Sequence, residues 1–253
     1  MVSNDLLKTY CLRLGDNALI LGHRLSEWCG HGPILEEDIA LSNMALDLVG
    51  QSRGFLSYAS LLEAKGNTED DLAYLRDARS YTNCMMVELP NGDFAFTMMR
   101  SFLYSVFAYL NFRNLVSSKD ETISGLAEKS LKEITYHYRH CADWVIRMGD
   151  GTDESHQRAQ LALDELWSYV DELFEMNEAD ALLIKEGIAF DLKSIRPEWD
   201  KLVNEVISKA KLIKPSENIY KSTGGMNGIH TEHLGFLLAE MQFMQRSYPG
   251  AKW

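Results

Sequence analysis

The run Leu131-Lys132-Glu133-Ile134-Thr135-Tyr136-His137 decides how the chain is read. In helical bundles that hold two irons, two helices each supply Glu-x-x-His and two others each supply one carboxylate. Residues three apart share a helix face, so both side chains of such a motif reach a metal inside the bundle. Here His137 keeps its place, and Ile134 stands where the glutamate would be. An aliphatic side chain offers no electron pair to a metal. The stretch therefore reads as a metal site half dismantled, which argues for a structural or partner-binding role over catalysis.

Working outward, Leu126, Leu131, Ile134, His137, Cys141 and Val145 recur at helical spacing and predict a long helix from about 121 to 148. Upstream, the pattern predicts a first helix capped by Asn4 or Asp5 and running towards Trp28. A second follows over 35–65, closed by Gly66-Asn67. Short helices are expected over 70–76 and 81–88, then a long one over 94–116 capped by Asp93. Downstream, Thr152 or Asp153 caps a fifth long helix carrying Leu161, Leu166, Val170 and Phe174. Weaker helices are expected over 179–185 and 196–211, the latter with Pro197 in its first turn. Residues 214–228 read as a loop and 230–246 as a final helix. With no run of alternating strands, the expected fold is all-α. It is a bundle of long antiparallel helices with additional C-terminal helices, in one domain over 1–253.

Composition narrows the function classes. Lys and Arg total 25 against 37 Asp and Glu, a formal charge of -12, which disfavours the basic surface that nucleic acids require. Cys11, Cys29, Cys84 and Cys141 form no C-x-x-C pair and read as small buried hydrophobes rather than as disulfides or a zinc site. Met1-Val2-Ser3-Asn4-Asp5 lacks the charge pattern of a signal peptide. The densest apolar run, near 101–111, is too short to span a bilayer. The expectation is a cytoplasmic protein with neither membrane nor nucleic-acid partner.

Four segments carry a resemblance: Leu14-Gly15-Asp16-Asn17, Leu25-Ser26-Glu27-Trp28-Cys29-Gly30-His31, Leu46-Asp47-Leu48-Val49-Gly50-Gln51 and His230-Thr231-Glu232-His233-Leu234. Over essentially the whole chain, from Tyr10 to Trp253, the sequence resembles the C subunits of bacterial phenylacetyl-CoA epoxidase. The resemblance implies a ferritin-like bundle inside a multicomponent oxygenase of aerobic phenylacetate catabolism. A homologous catalytic subunit would hold the di-iron centre, and a reductase with small accessory subunits would complete the complex. Iron, flavin, iron-sulfur and NADPH would then belong to the partners, with no cofactor, metal or catalytic residue in this chain. By the same resemblance, Glu27 matches one lone ligand carboxylate, and Asp47-Leu48-Val49-Gly50 matches Glu-x-x-His with a shorter acid and no histidine. The other lone carboxylate falls near Ser105, and Ile134 to His137 has lost its acid. Three of six ligand positions thus remain: Glu27, Asp47 and His137.

Each retained residue also has a plainer reading. His137 suits a hydrogen-bonded core histidine, and Glu27 and Asp47 suit a buried polar network with Arg24, Arg53 or His137. Glu133, beside Lys129 and Lys132, reads as solvent-facing. His230, Glu232 and His233 read as a helix start that forms a partner-docking surface; a zinc pair there would lack further ligands. Gly224-Gly225-Met226-Asn227-Gly228 follows no strand and is not a dinucleotide fingerprint, and no serine sits in a nucleophile elbow. Three functions follow: a non-catalytic oxygenase subunit, a self-associating helical scaffold, and a divergent metal-dependent oxidase using Glu27, Asp47, Glu133 and His137.

Overall fold

The computed structural model describes residues 3–216 and 220–251, and those residues form helices and turns without a strand. The helices are α1 (Asn4–Ser26), α2 (Leu35–Glu63), α3 (Glu69–Tyr74), α4 (Met85–Glu88), α5 (Phe94–Leu115) and α6 (Glu121–Gly149). They continue with α7 (Asp153–Leu166), α8 (Glu178–Glu186), α9 (Arg196–Lys209), α10 (Glu232–Met241) and α11 (Phe243–Ser247). The all-α expectation holds. Among the described residues no helix is long and apolar enough to cross a membrane. The chain divides into two compact units, one made of the residues up to Pro90 with those from Gly224 onward, the other of Asn91–Thr223.

The first unit is built on an antiparallel pair. Lys8 meets Glu63 at 3.4 Å at one end of α1 and α2, while Gly22 lies against Leu48 and Ala45 towards the other. A Cβ on Gly15 would come within 2.9 Å of the Leu56 side chain, and one on Gly22 within 3.2 Å of Leu48. These two glycines, seven residues apart, let the helix backbones approach closely. Leu14, Ala18, Leu21 and Leu25 are buried as their spacing predicts. The second unit repeats the scheme with α5 and α6. Phe94 packs edge-on against Trp144 at 5.0 Å, the Tyr109 and Tyr138 rings lie tilted by 30° at 5.7 Å, and Ser124 donates to the Val116 carbonyl at 2.6 Å. Trp199 of α9 is fully buried and donates from Nε1 to the Leu103 carbonyl at 3.2 Å, with the Arg196 guanidinium 5.4 Å from its ring.

Several boundaries differ from expectation for local reasons. Ser3, rather than Asn4 or Asp5, caps α1 by accepting from Leu6 N. The helix ends at Ser26, leaving Trp28 in the following turn. Ala64 takes the left-handed conformation at φ 53° and closes α2 before Gly66. Only Met85–Glu88 of the expected 81–88 helix forms, because Thr82 N donates to Asp16 and Cys84 N donates to Asn17 Oδ1. The expected 230–246 helix is interrupted at Gln242, whose amide donates to the Ala73 and Arg76 carbonyls and the Tyr81 hydroxyl. Cys11, Cys84 and Cys141 are buried, whereas Cys29 is exposed in the turn after α1. Part of the predicted 214–228 loop (217–219), Met1-Val2 and Lys252-Trp253 lie outside the described residues.

Asp16 anchors the connection between α2 and α4. Fully buried on α1, it accepts from Thr82 N at 2.9 Å, Thr82 Oγ1 at 3.1 Å and Arg76 Nη1 at 3.0 Å, and it forms an ion pair with Arg76 Nη2. The Arg76 guanidinium also lies 4.2 Å from the Tyr81 ring centroid. Burial pushes the Tyr81 phenol well above its ordinary range, so it remains a neutral donor, here to the Ala73 carbonyl. Removing the charge at Asp16 strands a largely buried guanidinium. Asp16→Asn is expected to cost about 3 kcal/mol in urea unfolding. Arg158→Ala, which breaks exposed pairs to Glu154 and Asp93, should leave the midpoint unchanged.

Candidate functional site

The residues singled out by the sequence fall in both units. In the first, Glu27 lies one residue past α1, with its side chain 42% exposed and Oε1 2.8 Å from Arg24 Nη1. It pairs with Arg24 as expected, but at the surface rather than in a buried network. Arg53 turns instead to Glu69 at 3.2 Å. Asp47 is half-buried in the middle of α2, on the helix whose Leu48 packs against α1. Gly50, one turn on, offers no side chain, and a Cβ there would meet nothing within 4 Å.

In the second unit, Ser105 is buried on α5, and Ile134 and His137 are buried on α6. Ile134, His137, Cys141 and Val145 share the inward face of α6, as their spacing requires. The Tyr136 ring meets the His137 ring edge-on at 6.2 Å and stacks on His140 at 5.5 Å. Glu133 is 4.0 Å from Lys129 across one helical turn. In neither unit, among the described residues, do three or more His, Cys, Asp or Glu side chains come together as metal ligands would.

The third group, at the start of α10, shows a different chemistry. His230 turns inward, with its side chain 5% exposed. Its Nδ1 is 2.8 Å from Glu88 Oε2 and its Nε2 is 3.0 Å from the Tyr81 carbonyl. Thr231 donates to Glu88 Oε1 from both N, at 2.6 Å, and Oγ1, at 2.8 Å. Arg24 reaches the same place from α1, donating to the Glu88 carbonyl from Nε at 3.0 Å and Nη2 at 2.8 Å, and to the His233 carbonyl at 3.2 Å. Glu232 is exposed and His233 half-buried. Asp16 and Glu88 are thus the residues that sequence reasoning missed as a centre of organisation, whereas Arg24 was expected in a polar network but with Glu27 or Asp47 as its partner. The readable signal was a lone acid inside an apolar run, Met85-Met86-Val87-Glu88-Leu89, and another between Leu14 and Ala18.

The chemistry at residue 134 is open to a direct check. An acid there would lie fully buried, so Ile134→Glu is expected to lower stability by about 3 kcal/mol in urea unfolding. Ferrous iron should not restore it. Recovery of stability with iron would mean that a competent ligand set lies around this position.

The family model described as phenylacetic acid catabolic protein matches residues 2–253. The chain is 47% identical over 247 residues to the C subunit of 1,2-phenylacetyl-CoA epoxidase from Escherichia coli (strain K12), covering 98% of this chain and 99% of that protein. The segments Leu14–Asn17 and His230–Leu234, which carried the resemblance, contribute Asp16, Asn17, His230 and Thr231 to the buried bonds of the first unit. On a match of this length, the chain belongs to the phenylacetic acid catabolic protein family.

Proposed function

We propose that this chain is a structural, non-catalytic subunit of a multicomponent oxygenase that epoxidises the ring of phenylacetyl-CoA in aerobic phenylacetate catabolism. In this reading it is a cytoplasmic, ferritin-like bundle that docks against a homologous di-iron catalytic subunit and stabilises it. Reductase and small accessory subunits complete the assembly and supply the flavin, iron-sulfur and NADPH chemistry. The relative named as the C subunit of such an epoxidase supports the pathway. The observation that carries the non-catalytic role is Ile134, a fully buried hydrocarbon three residues before His137. By the resemblance, Gly50 and Ser105 likewise stand at ligand positions without a ligand atom of the expected kind, which leaves too few anionic oxygens to balance two iron ions. The residues that the resemblance places at ligand positions, Glu27, Asp47, Gly50, Ser105, Ile134 and His137, are not the ligand set of a di-iron pair, so no chemical step is assigned to this chain.

A partner-binding role is supported by α2. One face of that helix is buried at Leu41, Met44, Leu48 and Phe55, with Leu48 and Phe55 against α1, yet the opposite face is also aliphatic. Leu35 is 72% exposed, Ile39 52% and Leu46 69%. A helix that is apolar on both faces is normally covered on both. In the proposed complex the di-iron subunit covers it. Glu232, exposed in the first turn of α10, adds a polar contact, with His233 beside it, while His230 acts from within by fixing that turn.

Mixing the purified chain with the di-iron homologue is expected to give a stable one-to-one complex by light scattering. The double substitution Ile39→Lys, Leu46→Lys should raise its Kd by at least about tenfold while leaving the thermal midpoint of the isolated chain unchanged. Unaltered affinity would remove α2 from the interface. Self-association without any complex would favour the scaffold reading.

A further inference from the structure

The Glu88 carboxylate is fully buried at the end of α4, and its surroundings specify where a proton must be. Oε1 faces two donors from Thr231, and Oε2 faces Asn83 Nδ2 at 2.9 Å and His230 Nδ1 at 2.8 Å. The Asn83 amide is oriented by its second bond to the Cys84 carbonyl, which can only accept. On the other side of the ring, His230 Nε2 meets the Tyr81 carbonyl, so Nε2 must carry hydrogen. With Nε2 protonated, the Nδ1 contact requires one more proton, either on the ring or on Glu88. Three donors other than His230 already address the carboxylate, which favours its anionic form. The added proton then belongs on Nδ1.

We infer that His230 is an imidazolium in the folded protein and that this proton latches the start of α10 to α4. The other charged groups nearby leave this assignment in place. Arg24 of α1 addresses backbone carbonyls and is balanced by Glu27, and Arg76 behind the Tyr81 ring is balanced by Asp16. From α10 itself, Glu232 is exposed, and His233 offers its backbone carbonyl to Arg24. When the ring loses its proton, the Nδ1 lone pair faces a carboxylate, two acceptors 2.8 Å apart with little solvent access. The latch is therefore complete on the acidic side of the His230 titration and weakens as pH rises through it. Its release would loosen the first turns of α10, whose outer side presents Phe236.

The test uses the full-length chain labelled with 15N, with His230 assigned from its backbone connectivity. Long-range 15N–1H spectra are followed as pH rises. His230 is expected to show two protonated ring nitrogens at a pH where free histidine is already neutral, and to lose that behaviour in Glu88→Gln. Amide exchange over 234–238, corrected for its intrinsic pH dependence, should then accelerate about tenfold as His230 deprotonates. That acceleration should be absent in His230→Gln. An unprotonated Nδ1 at a pH where free histidine is still charged would overturn the assignment and place the proton on Glu88. An unchanged exchange rate across the titration of His230, or the same acceleration in His230→Gln, would overturn the latch.

Discussion

Two carboxylates that cannot reach water, Asp16 and Glu88, set the organisation of the first unit. A buried carboxylate is tolerated only when its oxygens are addressed by donors, so each must gather partners from wherever the chain can bring them. Asp16 gathers Thr82 and Arg76 and so pins the irregular stretch before α4 against α1. Glu88 gathers Asn83, His230 and Thr231 and so pins the start of α10 against the same stretch. Arg24 ties α1 to both ends of that second cluster through backbone carbonyls. Apolar burial drives these elements together, but it is indifferent to register. The donors around the two acids choose one arrangement among many compact ones.

The same division of labour accounts for the two long hairpins. Gly15 and Gly22 allow α1 and α2 to approach, while aromatic pairs such as Phe94–Trp144 align α5 with α6. Within this frame Ile134 and His137 are ordinary members of a buried helix face. A protein whose task is chemistry would keep ionisable ligands there despite their destabilising effect. In the proposed reading, a protein whose task is to support a partner can replace them with hydrocarbon, and the outward aliphatic residues of α2 would meet that partner.

The long helices were legible because their apolar positions repeat at the helical period, and the cap Asp93 could be named in advance, with Thr152 one of two candidates for the next. The inward turn of Ile134, His137 and Cys141 followed from the same periodicity. What periodicity does not carry is pairing between distant segments. Arg76 lies 60 residues from Asp16, and His230 lies 142 from Glu88, so neither bond leaves a spacing to read. That blindness explains why Glu27 was expected in a buried network that Asp16 and Glu88 in fact form. It also explains why 230–246 read as one helix, since the demand on Gln242 comes from Ala73, Arg76 and Tyr81. The outward aliphatics of α2 were readable as apolar residues, but their exposure emerges only once α1 is seen to occupy the opposite face.

The most direct measurement is the iron content of the chain purified alone, determined by mass spectrometry after anaerobic loading with ferrous iron and removal of loosely bound metal. A support subunit with Ile134 in its core should retain essentially none. Two irons per chain would contradict that account and make Glu27, Asp47 and His137 ligands of a working centre.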